Sequence, residues 1–112
     1  MKTKFVILSF LILSMVVTNC KKNEPSDLWG IVTDSETGEP ILGATAIIFI
    51  ETELITSKTT GQDGRYEFSN IASNYFYSLR VIKDGYLTVD TDEFYLPTDY
   101  SKKLDIAMHS LK

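Results

Sequence analysis

One cysteine and one histidine are all that the 112 residues contain of either type. A lone cysteine excludes an intrachain disulfide. A lone histidine, His109, excludes a multi-histidine metal site and any catalytic constellation built on several imidazoles. Basic residues are outnumbered, with 11 Lys and Arg against 15 Asp and Glu. No basic stripe exists, so nucleic acid is excluded as a partner. The chain is too short for a doubly wound nucleotide-binding sheet or a (β/α) barrel. Helical periodicity is missing too: from Leu28 onward no window sets apolar residues at i, i+3, i+4 and i+7. Long apolar runs are absent except for Phe5 to Val17, and its 13 residues fall short of a spanning helix, which needs about 18 or more.

That run follows the basic segment Met1-Lys2-Thr3-Lys4 and stops beside Val17-Thr18-Asn19-Cys20. A short basic start, an apolar stretch of this length and a cysteine at the cleavage point resemble a bacterial lipoprotein signal with its lipobox. Asn19 stands where such boxes usually carry Gly, Ala or Ser. The resemblance implies that residues 1–19 are removed and that Cys20 carries the lipid. It also implies a tether over residues 20–27 and a domain over 28–112. Removal of Lys2 and Lys4 leaves 9 basic against 15 acidic residues, a net charge of −6. Three acyl chains, at about 0.8 kcal/mol per buried CH₂, give stable anchoring. The expected location is the bacterial cell envelope, at the outer membrane, with the membrane itself as one partner.

The body reads as all β. Leu28, Gly30 and Val32 share a face, and Ala44 to Ile50 is a near-continuous apolar run of buried-strand length. Leu54 to Thr60 is a third strand. Gly61-Gln62-Asp63-Gly64 is a hairpin turn into the alternating Arg65 to Phe68. Tyr77, Leu79 and Val81 alternate with Ser78, Arg80 and Ile82. A strand over Leu87 to Leu96 breaks near Asp90 to Glu93, and Leu104, Ile106 and Met108 line the last one. About seven short strands with turn signals every 8–12 residues predict a seven-stranded antiparallel two-sheet sandwich. Its expected core is Leu28, Val32, Ala46, Ile48, Ile50, Tyr66, Phe68, Tyr77, Leu79, Val81, Leu104 and Ile106.

Three segments in register resemble the carboxypeptidase-regulatory-like family, whose fold is prealbumin-like (transthyretin-like). They are Gly30-x-Val32-x-Asp34-x-x-Thr37-Gly38-x-Pro40-Ile41-x-Gly43-Ala44, Thr60-x-x-Asp63-Gly64-x-Tyr66-x-Phe68 and Tyr77-x-Leu79-x-Val81-x-x-x-Gly85-Tyr86. Each has a backbone or packing explanation, so they specify fold rather than function. The resemblance implies an accessory module without catalytic residues of its own. Related ureidohydrolases need several His and Arg, and ring-cleaving dioxygenases need two Tyr and two His around iron. One histidine supplies neither.

Two further groups remain. Asp90, Asp92, Glu93 and Asp99, and around the first turn Asp34, Glu36 and Glu39, are oxygen-rich, but no calcium-loop pattern is present, and solvated turns account for them. No cofactor and no metal site is expected. The aromatics are the candidate binding residues: Trp29 and Phe76 have outward parity, and Tyr75 and Tyr95 belong to a set of rings that alternating strands cannot all turn to the core. They fit contact with a protein or glycan, through these rings or a strand edge. The alternative readings are a carbohydrate-binding protein of a nutrient-uptake system and, remotely, a prealbumin-type hydrolase.

Overall fold

The computed structural model describes residues 24–112, so Cys20 and the signal segment lie outside the described residues. Nine strand segments follow one another: β1 (Ser26–Asp34), β2 (Thr45–Ile50), β3 (Glu53–Thr59), β4 (Arg65–Ile71), β5 (Tyr75–Ile82), β6 (Val89–Asp90), β7 (Phe94–Leu96), β8 (Ser101–Lys103) and β9 (Ile106–Met108). The described residues contain no helix. In the first sheet β1 lies between β4 on one side and β8, then β9, on the other. The second sheet runs β3-β2-β5-β6, with β7 also pairing β5. The all-β two-sheet sandwich expected from the sequence is the architecture found. The segments resolve into the seven strands expected if β6–β7 and β8–β9 are each one interrupted strand. At the first interruption Thr91 substitutes for the ladder: its hydroxyl accepts from the Leu79 amide at 3.0 Å, and its own amide donates to the Leu79 carbonyl at 2.9 Å.

Direction is one detail that differs. β8 and β9 run parallel to β1, not antiparallel. Alternation reports which residues face inward and carries no direction. Here the Pro97–Tyr100 loop crosses between sheets at the end where β1 begins, and the last strand therefore starts alongside it. The domain boundary differs as well. β1 starts at Ser26, and the Glu24 carbonyl already accepts from the Thr98 hydroxyl at 3.0 Å and the Asp99 amide at 3.3 Å. Residues 24–27, read from sequence as tether, are part of the fold.

The core holds the expected residues with two corrections. Ile50 and Leu104 are only partly buried, and Ile41, Ala44, Leu96 and Met108 join it. Leu104 is displaced because the chain bends around Gly30. A Cβ on Gly30 would stand 1.9 Å from the Leu104 carbonyl oxygen. That oxygen accepts the Tyr66 hydroxyl at 2.5 Å, while the Leu104 amide donates to the Trp29 carbonyl at 2.8 Å. Asp105 Oδ1 accepts the Ile31 amide at 2.9 Å, so the bend leaves β1 satisfied on that edge. Burial, and then the nearby Asp105 charge, push the Tyr66 hydroxyl well above the usual tyrosine range, which keeps it a donor.

The end opposite the N-terminus is closed by hydrogen bonds to side chains. Asp34 Oδ1 accepts the amides of Glu36 and Thr37 at 2.8 and 3.1 Å, and Oδ2 accepts the Tyr86 hydroxyl at 2.8 Å. Thr60, fully buried, donates to the Ile41 carbonyl at 2.6 Å and accepts from the Ala44 amide at 2.9 Å. The Tyr86 bond, then the two amides, hold the Asp34 carboxyl below its ordinary value.

Two outcomes follow from this geometry. Gly30→Ala forces the bend off β1 and should cost at least the ~1–3 kcal/mol of an overpacked site in urea unfolding; an unchanged midpoint would contradict the close approach. Asp34 has a folded value below its unfolded one, so its contribution is complete above the unfolded value and fades as pH falls through the folded one. Between neutral pH and the acid range, Asp34→Asn should therefore lose less stability than the natural protein. Parallel pH profiles would show that the Tyr86–Asp34 closure contributes nothing.

Candidate contact surfaces

The single histidine ends up on the surface. His109 is exposed, and its Nδ1 lies 2.9 Å from the Ser35 hydroxyl, also exposed. A hydroxyl beside an imidazole is the first element of a nucleophile pair. Neither residue lines the surface grooves beside Phe49, Tyr100, Tyr75 or Lys83. Around the first turn the Asp34 carboxylate is engaged with the turn amides of Glu36 and Thr37. Among the described residues no group of His, Cys, Asp and Glu is placed to hold a metal ion.

The four candidate aromatics separate into three environments. Trp29 points outward from β1, but the Arg65 guanidinium sits over its ring at 4.2 Å and the Lys103 ammonium at 5.1 Å. These neighbours arrive from the paired strands, because Trp29 stands opposite Glu67 on β4 and Lys103 on β8. Tyr75 shares the inward parity of Tyr77 yet projects past the end of the core, half exposed. Phe76 and Tyr95 do meet: they are cross-strand partners on the outer face of the second sheet, with ring centroids 5.1 Å apart and planes inclined by 54°. They are 56% and 45% exposed, and the Tyr95 hydroxyl donates to Asn74 Oδ1 at 2.9 Å.

The same outer face carries residues that sequence reasoning did not single out. Ile47 and Phe49 on β2 stand opposite Arg80 and Ser78 on β5, which turn away from the core. Leu54 on β3 pairs with Phe49 and is 56% exposed. The Ala44 to Ile50 run read as a strand buried on both faces. In this two-layer fold one of those faces meets solvent instead, which leaves an apolar strip there. A shallow groove lies along it, lined by Phe49, Ser78, Arg80 and Asp90. Arg80 Nε donates to Asp90 Oδ1 at 2.7 Å, and the guanidinium carbon lies 5.7 Å from the Phe49 ring centre.

The β3 edge is less open than the face beside it. β3 is a sheet edge, but its register with β2 shifts between Ile48 and Phe49, so Ile55 is an extra residue in a bulge. Lys58 stands opposite Ala46, which places a charge on the inward side of this edge strand. Bulges and inward charges both hinder the addition of another strand.

The described residues thus form a two-sheet β-sandwich with an apolar strip on the outer face of its second sheet. The family model for the carboxypeptidase regulatory-like domain matches residues 27–109, and the chain belongs to that family. Its fold is prealbumin-like. No curated protein matches the sequence. Among solved structures, a candidate carbohydrate-binding protein from Bacteroides uniformis aligns with a TM-score of 0.61 at 12% identity, over 76% of this chain and 41% of that one. The shaft pilin SpaA from Lactobacillus rhamnosus GG aligns at 0.61 and 17%, over 79% and 47%. The 5-hydroxyisourate hydrolase of Klebsiella pneumoniae aligns at 0.57 and 22%, over 73% and 90%. At these identities the likeness is one of fold. The chain spans less than half the length of the first two.

Removal of the ring at position 76 separates surface from core. Phe76→Ala should change stability by about half a kcal/mol or less, the usual range for a surface site. Tyr77→Ala, one residue on and fully buried, should cost ~3–5 kcal/mol. Equal losses in thermal or urea unfolding would mean that Phe76 is part of the core and that this contact surface does not exist.

Proposed function

We propose that this protein is a lipid-anchored, non-enzymatic module of the bacterial cell envelope that binds a protein partner on the outer face of its second sheet. The observation that carries the reading is the apolar strip of Ile47, Phe49 and Leu54, continued by the Phe76–Tyr95 pair, on a face that the fold itself leaves uncovered. Contiguous apolar surface of this kind, with an ion pair such as Arg80–Asp90 beside it, suits a protein interface. A sugar ring stacks best on a flat, open aromatic face. The inclined Phe76 and Tyr95 rings and the cation-covered Trp29 offer less of one, so the glycan reading takes second place.

The anchor is Cys20, at the outer membrane. Its support is the signal pattern that ends at this residue, together with a fold that begins four residues later. Catalysis is not part of the proposal, because the Ser35–His109 pair, the one hydroxyl–imidazole contact of the described residues, lies exposed on the surface.

A photo-crosslinking residue at position 54 of the full-length protein in intact cells tests the docking face. The expected result is one discrete protein adduct that disappears with Arg80→Ala and is not formed from position 87, which lies at the opposite end of the sandwich. Equal labelling from both positions, or none from position 54, overturns the docking face. An ester, amide or ureide hydrolysed by the purified protein at a rate abolished by His109→Ala or Ser35→Ala would overturn the non-enzymatic reading. Cys20→Ala should release the protein from the membrane fraction.

A further inference from the structure

The four exposed aromatic side chains among the described residues all gather at one end of the sandwich. Tyr75, Phe76, Tyr95 and Tyr100 are each about half exposed, at 48%, 56%, 45% and 50%. The large exposed apolar residues toward the opposite end, Leu42, Ile82, Leu87 and Leu111, are all aliphatic. The aromatic end is also the end from which the N-terminus leaves. The Tyr100 amide donates to the Ser26 hydroxyl at 3.1 Å, and the Asp27 amide donates to the Tyr100 carbonyl at 2.9 Å. The Ser26 hydroxyl donates to the Pro97 carbonyl, and Leu96 next to it is the cross-strand partner of Tyr75.

The length of chain beyond that point is short. Only Lys21, Lys22 and Asn23 separate Cys20 from Glu24, whose carbonyl is already bound by Thr98 and Asp99. At no more than ~3.6 Å per residue, the four steps from Cys20 to Glu24 span at most ~14 Å. The nine residues of β1 alone cover about 30 Å at the usual strand rise. A lipid on Cys20 therefore holds the aromatic end close to the headgroups and leaves the opposite end free to stand away from them.

We propose that this end of the sandwich is a membrane-contact surface, with Tyr75 and Tyr100 as its central rings and Phe76 and Tyr95 at its rim. The proposal rests on the lipid-anchor reading above and names a second partner for the same aromatic residues. Tyrosine is suited to this place, since its ring enters the headgroup layer while its hydroxyl stays hydrated. Glu24, Asp27 and Asp99 lie around the same end and Lys21 and Lys22 stand between it and the lipid in sequence, so neither sign of charge dominates and the bilayer it fits has zwitterionic headgroups. The docking groove by Phe49 and Arg80 then begins just above the lipid surface.

The test uses the full lipidated protein, purified from membranes and reconstituted in phosphatidylcholine–phosphatidylethanolamine vesicles that contain brominated acyl chains. Trp29→Phe removes the native tryptophan, and Tyr100→Trp or Leu111→Trp supplies a single probe at one end or the other. The expected result is a large loss of emission from position 100 and almost none from position 111. Tyr75→Trp serves as a second probe at the aromatic end, in case one variant folds poorly. Flotation with the vesicles that depends on Cys20, combined with unquenched probes at both 75 and 100, overturns the membrane contact and leaves the anchor standing. Flotation that survives Cys20→Ala overturns the anchor, and the proposal falls with it.

Discussion

Everything in the first sheet depends on position 30 having no side chain. β1 is paired along both edges, antiparallel to β4 and parallel to β8 and then β9. The last strand keeps one register against β1 across its interruption, with Trp29 opposite Lys103 and Val32 opposite Ile106. The interruption falls over Gly30, where the Leu104 carbonyl comes closer than any Cβ would permit. Tyr66 crosses from β4 to bind that carbonyl, and so ties the two neighbours of β1 to each other across it. Tyr66, with Tyr77 one of the two largest fully buried side chains, thus spends its hydroxyl on a backbone oxygen at the bend.

The two ends of the sandwich are built from different turn chemistry. Toward the opposite end the left-handed positions are glycines: Gly38, Gly43, Gly64 and Gly85. At the N-terminal end they are Glu51, Asn70, Asn74 and Asp99, at φ of 59°, 54°, 65° and 50°. Asn and Asp tolerate this region, and short polar side chains bond the local backbone. The amide of the left-handed Asn70 is itself held from the neighbouring strand, donating to Asp27 Oδ1 at 2.9 Å. The glycine end is tight and anchored by Asp34, Tyr86 and Thr60. The other end presents four exposed aromatic rings between polar loops, an arrangement suited to contact with another phase.

This difference decided what was legible in the sequence. Glycine turns are written plainly, so the hairpin at Gly61 to Gly64 and the turns around Pro40 and Gly85 were readable, and with them the strands that they join. Period-2 alternation gave most of the core. It did not give strand direction, which depends on the end at which the Pro97–Tyr100 loop crosses. Nor did it give the displacement of Leu104, which depends on a contact 74 residues distant in sequence between Leu104 and Gly30. The candidate site was legible only in part. Phe76 and Tyr95 were recognised, but their pairing is a cross-strand relation across the break at Thr91 to Glu93. Trp29 had the right parity, yet its covering cations come from strands far along the chain. Ile47, Phe49 and Leu54 were hidden because an unbroken apolar strand reads the same whether its second face is buried or bare.

The central claim is that the sandwich has a lipid end and a free end. Hydrogen exchange of the natural lipidated protein on vesicles, compared with the same protein released by replacing Cys20, tests it most directly. The account predicts slower exchange on the bilayer confined to the amides of residues 72–75 and 97–100, with residues 35–43 and 84–88 unchanged. Slowing that maps to the glycine turns, or no difference between the two forms, would contradict it.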